Sequence, residues 1–224
     1  MSTGREPGDA WHLDAASARA VQRRLAAAVR LEDETGPVTT VAGVDTGFTN
    51  GGQRARACVA VHQYPDLTPL THAVAERPVT FPYRTGLLAF RELPAILAAL
   101  DELSALPDLL LCDGQGIAHP RRLGIAAHLG VWLDRPSVGV GKSRLLGSWQ
   151  EPGRERGSQA PLHDGGERIG TVLRSRTGVR PLFVSPGHRV DHTAAPAWVL
   201  ACTGRYRLPE PIRAADRIAS QRGQ

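Results

Sequence analysis

The sequence predicts an α/β fold in which an antiparallel meander joins parallel strands in one mixed central sheet flanked by helices. Three observations carry this expectation. The segments VTTVAGVDTGF, RARACVAVHQY and PLTHAVAERPV are β-branched and apolar, and Asn50-Gly51-Gly52 and Pro65-Asp66, both turn-forming stretches, separate them. From Leu87 onward, helical spacing alternates with short apolar runs, as expected of parallel strands covered on both faces. An acidic residue also follows an apolar run three times: Asp45 in VAGVDTGF, Glu92 in LLAFRELP and Asp113 in LLLCDGQGIAHP.

Taken in order, Asp14 caps a helix running to about Arg30, with Ala16, Val21, Leu25 and Val29 as its apolar stripe. After the meander, a loop with Pro82, Tyr83 and Gly86 leads into a helix over Leu87 to Leu106. Leu93, Ile96, Leu97 and Leu100 recur there at helical spacing, Pro94 falls in the first turn, and Glu92 lies near the helix start. Asp108 to Cys112 reads as a short strand, apolar after its first residue. The loop from Asp113 to Arg122 feeds a helix ending near Leu133, before a strand at Ser137 to Val140. A meander followed by alternating helix and strand matches a ribonuclease H-like sheet. In that arrangement the first strand neighbours the strand after the helix, so Asp45 and Asp113 meet at one sheet end and Glu92 reaches in from the helix between them. Trp149 to Gly166, rich in Gly, Pro and charge, reads as an exposed loop, and Ile212 to Arg222 as a last helix carrying Asp216.

The chain has 224 residues, 42% of them hydrophobic, which suffices for one sizeable core, and residues 1–224 are read as one domain. With 27 basic and 22 acidic residues the net charge is +5, a balance that suits a polyanionic partner. Lys142 is the single lysine among those basic residues, a compact ammonium in a chain that otherwise uses the planar arginine fork. Cys58, Cys112 and Cys202 are odd in number and far apart, which argues against a disulfide framework or structural zinc and for a reducing cytoplasm. The N-terminus lacks an apolar signal core, and Pro94, Asp101, Glu102, Pro107 and Asp108 interrupt the most apolar stretch. Neither export nor a membrane partner is expected.

A carboxylate that leaves water unpaired costs on the order of several kcal/mol, so charged groups beside buried runs are usually paired or hold a metal. Any one of the three acidic residues reads equally as a loop residue or helix cap; the set points to a divalent cation.

VAGVDTGF, FPYRTGLLAFRE, PDLLLCDGQGIAHPRRLGIAAHLG, PSVGVGKSRL, LFVSPGHRVD and RLPEPIRAAD together span nearly the whole chain. In this order they resemble the endonuclease V family, nucleases that act on deaminated purines, chiefly deoxyinosine. The resemblance implies that Asp45, Glu92 and Asp113 bind Mg²⁺, with Mn²⁺ as a substitute, and that Asp216 occupies a fourth position that is acidic or histidine in the family. Hard cations of this kind prefer carboxylate and water oxygens and serve phosphodiester hydrolysis. Lys142 is implied at the scissile phosphate or beside the attacking water. His119 has two readings, assisting at the phosphate or the metal's outer shell, or bonding the loop backbone. Tyr83 matches an aromatic wedge that fills the space left by an unstacked base, a contact worth about 1–3 kcal/mol. Here the chain departs from the pattern, with Arg84-Thr85 where the family has Ile-Pro, which predicts a less rigid loop. Gly114 and Gly116 either bring backbone groups close to a flipped base or simply serve the turn. Arg121, Arg122 and Arg144 are candidates for phosphate contacts.

The implied function is that of a cytoplasmic, monomeric DNA repair endonuclease. It would recognise deoxyinosine in DNA and cut the second phosphodiester on its 3′ side, leaving 3′-hydroxyl and 5′-phosphate ends. The alternatives are a ribonuclease acting on inosine-containing RNA and a non-catalytic lesion-binding module. A P-loop reading of Gly141-Lys142-Ser143 fails, because that motif needs glycine where Pro136 stands.

Overall fold

The computed structural model describes Trp11 and residues 13–220. Most of the polar N-terminal stretch, and residues 221 and 222 of the expected last helix, lie outside the described residues. The elements follow in the order α1 (Ala15–Ala26), β1 (Thr40–Thr49), β2 (Arg54–Gln63), β3 (Pro69–Pro78), α2 (Ala89–Asp101), β4 (Leu109–Asp113), α3 (Ile125–Leu133) and β5 (Ser137–Gly141). Then come β6 (Gln159–Asp164), β7 (Glu167–Leu173), β8 (Leu182–His188), α4 (Ala194–Ala201) and α5 (Glu210–Ala219). The strands form one eight-stranded sheet in the order β3-β2-β1-β4-β5-β8-β7-β6. The meander β1-β2-β3 is antiparallel, β1, β4 and β5 are parallel, and β8 closes antiparallel on β5. This is the expected ribonuclease H-like mixed sheet.

Asp14 caps α1 as predicted, its Oδ1 accepting from Ser17 N at 2.7 Å, but the helix stops at Ala26. Its fully buried residues are Ala18 and Gln22, so the true inward face is one position away from parts of the expected stripe. The helix α2 is shorter than expected and places Pro94 at its sixth position, inside the helix rather than in its first turn. There the missing N–H forfeits a bond to the Phe90 carbonyl. Complete burial of Leu93, Ile96 and Leu100 against the sheet holds the helix in spite of it.

The segment 149–166 is not wholly an exposed loop. Residues Gln159–Asp164 form β6, which pairs with β7 around a turn at Gly165-Gly166. Ala160 and Leu162 alternate inward with period two and are buried, beneath flanking glycine and charge that masked the pattern. With β7, β8 and α4, this half of the sheet was assigned no elements by the sequence.

Side-chain parity sorts the core into two layers. Val44, Leu110 and Cys112 face the layer of α2 and α3, with Leu93, Ile96 and Leu129. Val41, Leu109 and Leu111 face that of α4 and α5, with Val199 and Ile212. One side chain sets the alignment of β1 on β4. Asp108 Oδ2 accepts from the backbone and hydroxyl of both Thr39 and Thr40, at 2.8–3.0 Å. The register that follows pairs Val44 with Cys112, so Asp45 and Asp113 come next on both strands. Among the described residues no helix is long and apolar enough to cross a membrane, and all three cysteines are free and buried.

Candidate active site

Residues 41, 43, 45 and 47 of β1 point to the α5 side of the sheet, as do residues 109, 111 and 113 of β4. Asp45 is flanked on that face by two glycines. A Cβ on Gly43 would lie 2.0 Å from the Pro211 carbonyl, and one on Gly47 2.7 Å from the Ala219 oxygen. Helix α5 therefore rests on bare β1 backbone, and Asp216 is brought down onto the sheet end. Ligand-competent oxygens of Asp45, Asp113 and Asp216 lie within 4.8 Å of one another.

Glu92 is not among these three converging carboxylates. Helix α2 covers the opposite face, so Glu92 approaches the same sheet end from the other side. It is coupled to the triplet through charge. Burial, with the charges of Asp45 and Asp113, pushes its pKa up to about 8. Burial and then the Asp113 charge raise Asp45 to about 7. Asp113 is raised chiefly by burial, against an ion pair with Lys142. Lys142 Nζ contacts Asp113 Oδ2 and lies 3.6 Å from Asp216 Oδ1. Burial alone would lower the Lys142 pKa, but the Asp113 bond and the surrounding carboxylates raise it. Arg207 fixes the lysine from behind, its Nη2 donating to the carbonyls of Lys142 (2.8 Å) and Pro181 (2.7 Å). The donor set suits a hard divalent cation: three carboxylates converge, and a cation would offset the burial and the Asp113 charge that together raise Asp45.

A cavity of about 380 Å³ opens on the α2 side of this cluster. Glu92, Asp113, Gly114, His119, Lys142 and Arg144 line it, and Tyr83, 71% exposed, stands at it. Gln115, not singled out in the sequence, also lines it; its Nε2 donates to Ser143 O at 3.1 Å, and its buried Oε1 accepts no hydrogen bond among the described residues.

Of the two readings of His119, the geometry favours the one that bonds the loop. Its Nδ1 accepts from Arg121 N (3.2 Å), so Nε2 carries the proton and donates to Gly86 O at 2.9 Å. Burial lowers its pKa to about 4 and keeps it neutral. The same Gly86 carbonyl accepts from Gln22 Nε2 (3.0 Å) and Arg121 Nη2 (2.6 Å), and Arg121 Nε donates to Gln22 Oε1 at 2.5 Å. Arg91 adds a second tether, donating to Phe81 O at 2.9 Å with its guanidinium 5.1 Å from the Phe48 ring and 6.0 Å from the Tyr83 ring. The loop is thus held although it lacks the Ile-Pro pair. Gln22 and Arg91 had no signal in the sequence, because their partners lie on other elements.

Three predicted nucleic-acid contacts are already engaged within the protein. Arg121 serves the Gly86 hub, and Arg122 is paired to Asp164 and Glu167 at 2.9 and 2.8 Å. Gly116 is packed against β8, where a Cβ would lie 2.0 Å from Pro186 O, and its N–H bonds Ser185 Oγ. Arg144 remains at the cavity, bonded to Gly147 O and 5.2 Å from the Trp149 ring centroid. Gly114, at φ +148, is required by its turn, since a Cβ there would also meet Ile125 at 2.6 Å.

Residues 23–217 match the family model described as Endonuclease V. The chain belongs to the endonuclease V family. A relative from Alkalilimnicola ehrlichii, named Endonuclease V, is 57% identical over 94% of this chain and 93% of its own. The crystal structure of endonuclease V from Streptomyces avermitilis superposes with a TM-score of 0.91 at 44% identity, covering 98% of this chain and 97% of that one. Endonuclease V from Ciona intestinalis, solved with a 24-mer DNA containing an inosine followed by a ribo-adenosine, superposes with a TM-score of 0.80 at 26% identity over 92% and 96% of the two chains. At the level of fold alone, the A. aeolicus Argonaute shares the sheet architecture, with a TM-score of 0.52 at 14% identity over 82% of this chain and 28% of that one.

Proposed function

We propose that this endonuclease V is a Mg²⁺-dependent DNA repair nuclease that recognises deoxyinosine and hydrolyses the second phosphodiester on its 3′ side, leaving 3′-hydroxyl and 5′-phosphate ends. The observation that carries the reading is the convergence of Asp45, Asp113 and Asp216 beside Lys142, next to a cavity that an exposed aromatic residue guards.

Asp45, Asp113 and Asp216 would hold the ion, with Glu92 adding negative charge from the α2 side. Bound there, Mg²⁺, or Mn²⁺ in its place, supplies Lewis acidity at the phosphate. Lys142 Nζ is the cation available to a phosphate oxygen as charge develops, and its carbonyl is held fixed by Arg207. Tyr83 fills the gap in the stack while the cavity takes the extruded base. Hypoxanthine shares N7 and O6 with guanine but lacks its exocyclic amine, so a close-fitting wall leaves a guanine donor unsatisfied. His119, Arg121 and Gln22 keep the wedge loop in place through the Gly86 carbonyl. The ribo-adenosine after the inosine in the Ciona complex favours inosine-containing RNA as the second substrate to test.

The test is cleavage of end-labelled DNA and RNA oligonucleotides carrying one inosine or none, in Mg²⁺, in Mn²⁺ and in EDTA, with product ends mapped. Metal-dependent nicking one nucleotide beyond the inosine is expected. Binding without cleavage in any metal would replace this reading with that of a lesion-binding module.

A further inference from the structure

A second cavity, of about 660 Å³, lies on the α5 side of the carboxylate cluster. Lys142 lines both cavities, and Asp216 lines the second. The two recesses therefore flank the site, one on each face of the sheet end. The lining of the second contributes four basic side chains, Lys142, Arg207, Arg213 and Arg217, against the two carboxylates Glu210 and Asp216. Its aromatic element is Tyr206, 45% exposed. Two guanidinium groups attend that ring, Arg213 at 3.4 Å and Arg205 at 5.7 Å from its centroid. Arg213 is held in place by Glu210, with Nη1 and Oε2 2.6 Å apart. Arg217, one helical position beyond Asp216, is exposed.

We infer that this recess is the seat of the strand leaving the reaction on the 3′ side, with Arg217 contacting a phosphate and the arginine-flanked Tyr206 ring stacking on a base. The inference rests on the reading given under Proposed function. If the first cavity takes the inosine base and the cut falls one nucleotide further on, the scissile phosphate lies on the carboxylates and the strand passes over them at the cut. The nucleotide beyond the scissile bond then emerges on the α5 side, where this recess begins. A cationic groove with an exposed aromatic platform is the chemistry that binds single strands without regard to sequence, through phosphate contacts and stacking. A guanidinium beside an aromatic ring adds a planar, permanently charged surface to such a platform. Neither Tyr206 nor Arg217 contacts the first cavity, so their contribution is separable from lesion recognition.

The experiment compares inosine-containing single strands that end one nucleotide, or ten nucleotides, 3′ of the expected cut, using the wild-type protein, Tyr206→Ala, Arg217→Ala and Arg217→Lys in Mg²⁺. The wild-type kcat/KM is expected to be at least several-fold higher on the long flank. That ratio falls toward one in Tyr206→Ala and Arg217→Ala and is largely restored in Arg217→Lys. The loss appears in KM, and the slope of log KM against log salt falls by about 0.7 in Arg217→Ala, as expected for one lost phosphate contact on a single strand. A wild-type ratio of one, or a ratio unchanged in both alanine variants, would overturn the inference while leaving inosine cleavage standing. Failure of the wild-type protein to nick either strand would overturn the proposed function, and this inference with it.

Discussion

Replacing Gly43 by alanine should disable the site without touching a charged residue. The new Cβ would sit 2.0 Å from the Pro211 carbonyl, whereas ordinary contact begins at 3.4 Å. Backbone lies on both sides of this contact, so no side chain can swing away, and α5 must retreat by about 1.4 Å or tilt. Asp216 is five residues along the same helix and moves with it. Overpacking of this kind costs about 1–3 kcal/mol, and each kcal/mol lowers the melting temperature of a chain this size by roughly 2–4 °C. A displacement of about 1 Å at a catalytic group costs on the order of 100-fold in rate. The assay is kcat/KM on an inosine oligonucleotide in Mg²⁺, with thermal unfolding read by circular dichroism. Gly170→Ala is the control: its Cβ would meet Val184 O at 2.6 Å in β7, three strands away from β4. It should destabilise comparably and lose far less activity. If Gly43→Ala melts lower but cleaves at the wild-type rate, or if the two variants lose activity equally, Asp216 does not act through its seat on β1.

Asp45→Asn should abolish cleavage and yet raise the melting temperature in EDTA. The folded pKa of Asp45, about 7, lies above its ordinary 3.8, so its ionisation opposes folding as pH rises from about 4 to 7, and the full cost is present at pH 8. The variant should also lose the Mg²⁺-induced rise in melting temperature, and a wild-type rise would remove Asp45 from the ion site. Tyr83→Ala should weaken lesion binding or turnover while shifting stability by no more than about 0.5 kcal/mol, as expected of so exposed a residue; unchanged discrimination between inosine and adenine strands would count against the wedge. His128→Leu should stabilise the protein by about 1–3 kcal/mol at pH 7, because this buried imidazole sits among Trp11, Phe90 and Trp132 with no hydrogen-bond partner for either ring nitrogen among the described residues. Burial, aided by the His119 charge, lowers its pKa to about 3. The unfolded chain therefore takes up the proton first, and stability drains away as pH falls from about 6.5 toward 3. Acid titration followed by circular dichroism should give the variant a lower unfolding midpoint, with His119, lowered to about 4, and the other histidines that burial lowers and paired carboxylates contributing to the acid sensitivity that remains.

The features legible in the sequence were those whose cost is local. A carboxylate beside an apolar run is expensive wherever it occurs, so Asp45, Asp113 and Glu92 drew notice, and turn residues marked the meander correctly. The parity of β1 and β4 was also readable in principle, since Val41 and Leu111 share a face with Asp45 and Asp113. What was missing was the layer to which α2 belongs. That assignment sets Glu92 on the side of the sheet end opposite Asp216, whose place beside Asp45 and Asp113 only the family resemblance had suggested. The far half of the sheet was hidden because Pro161 and the neighbouring glycines and charges outweighed a short alternation of Ala160 and Leu162.

The devices that hold the site leave weaker marks still, because they consist of neutral backbone and of side chains that are absent. One carbonyl, Gly86, gathers donors from positions 22, 119 and 121, sequence separations at which no local pattern operates. Two bare positions on β1 let a helix approach until its carboxylate meets two others. The charged groups of the cluster can be exchanged in a single substitution, whereas their placement depends on glycines that read as ordinary strand residues. That asymmetry is why Gly43→Ala tests the assembly of this site, where Asp45→Asn tests its charge.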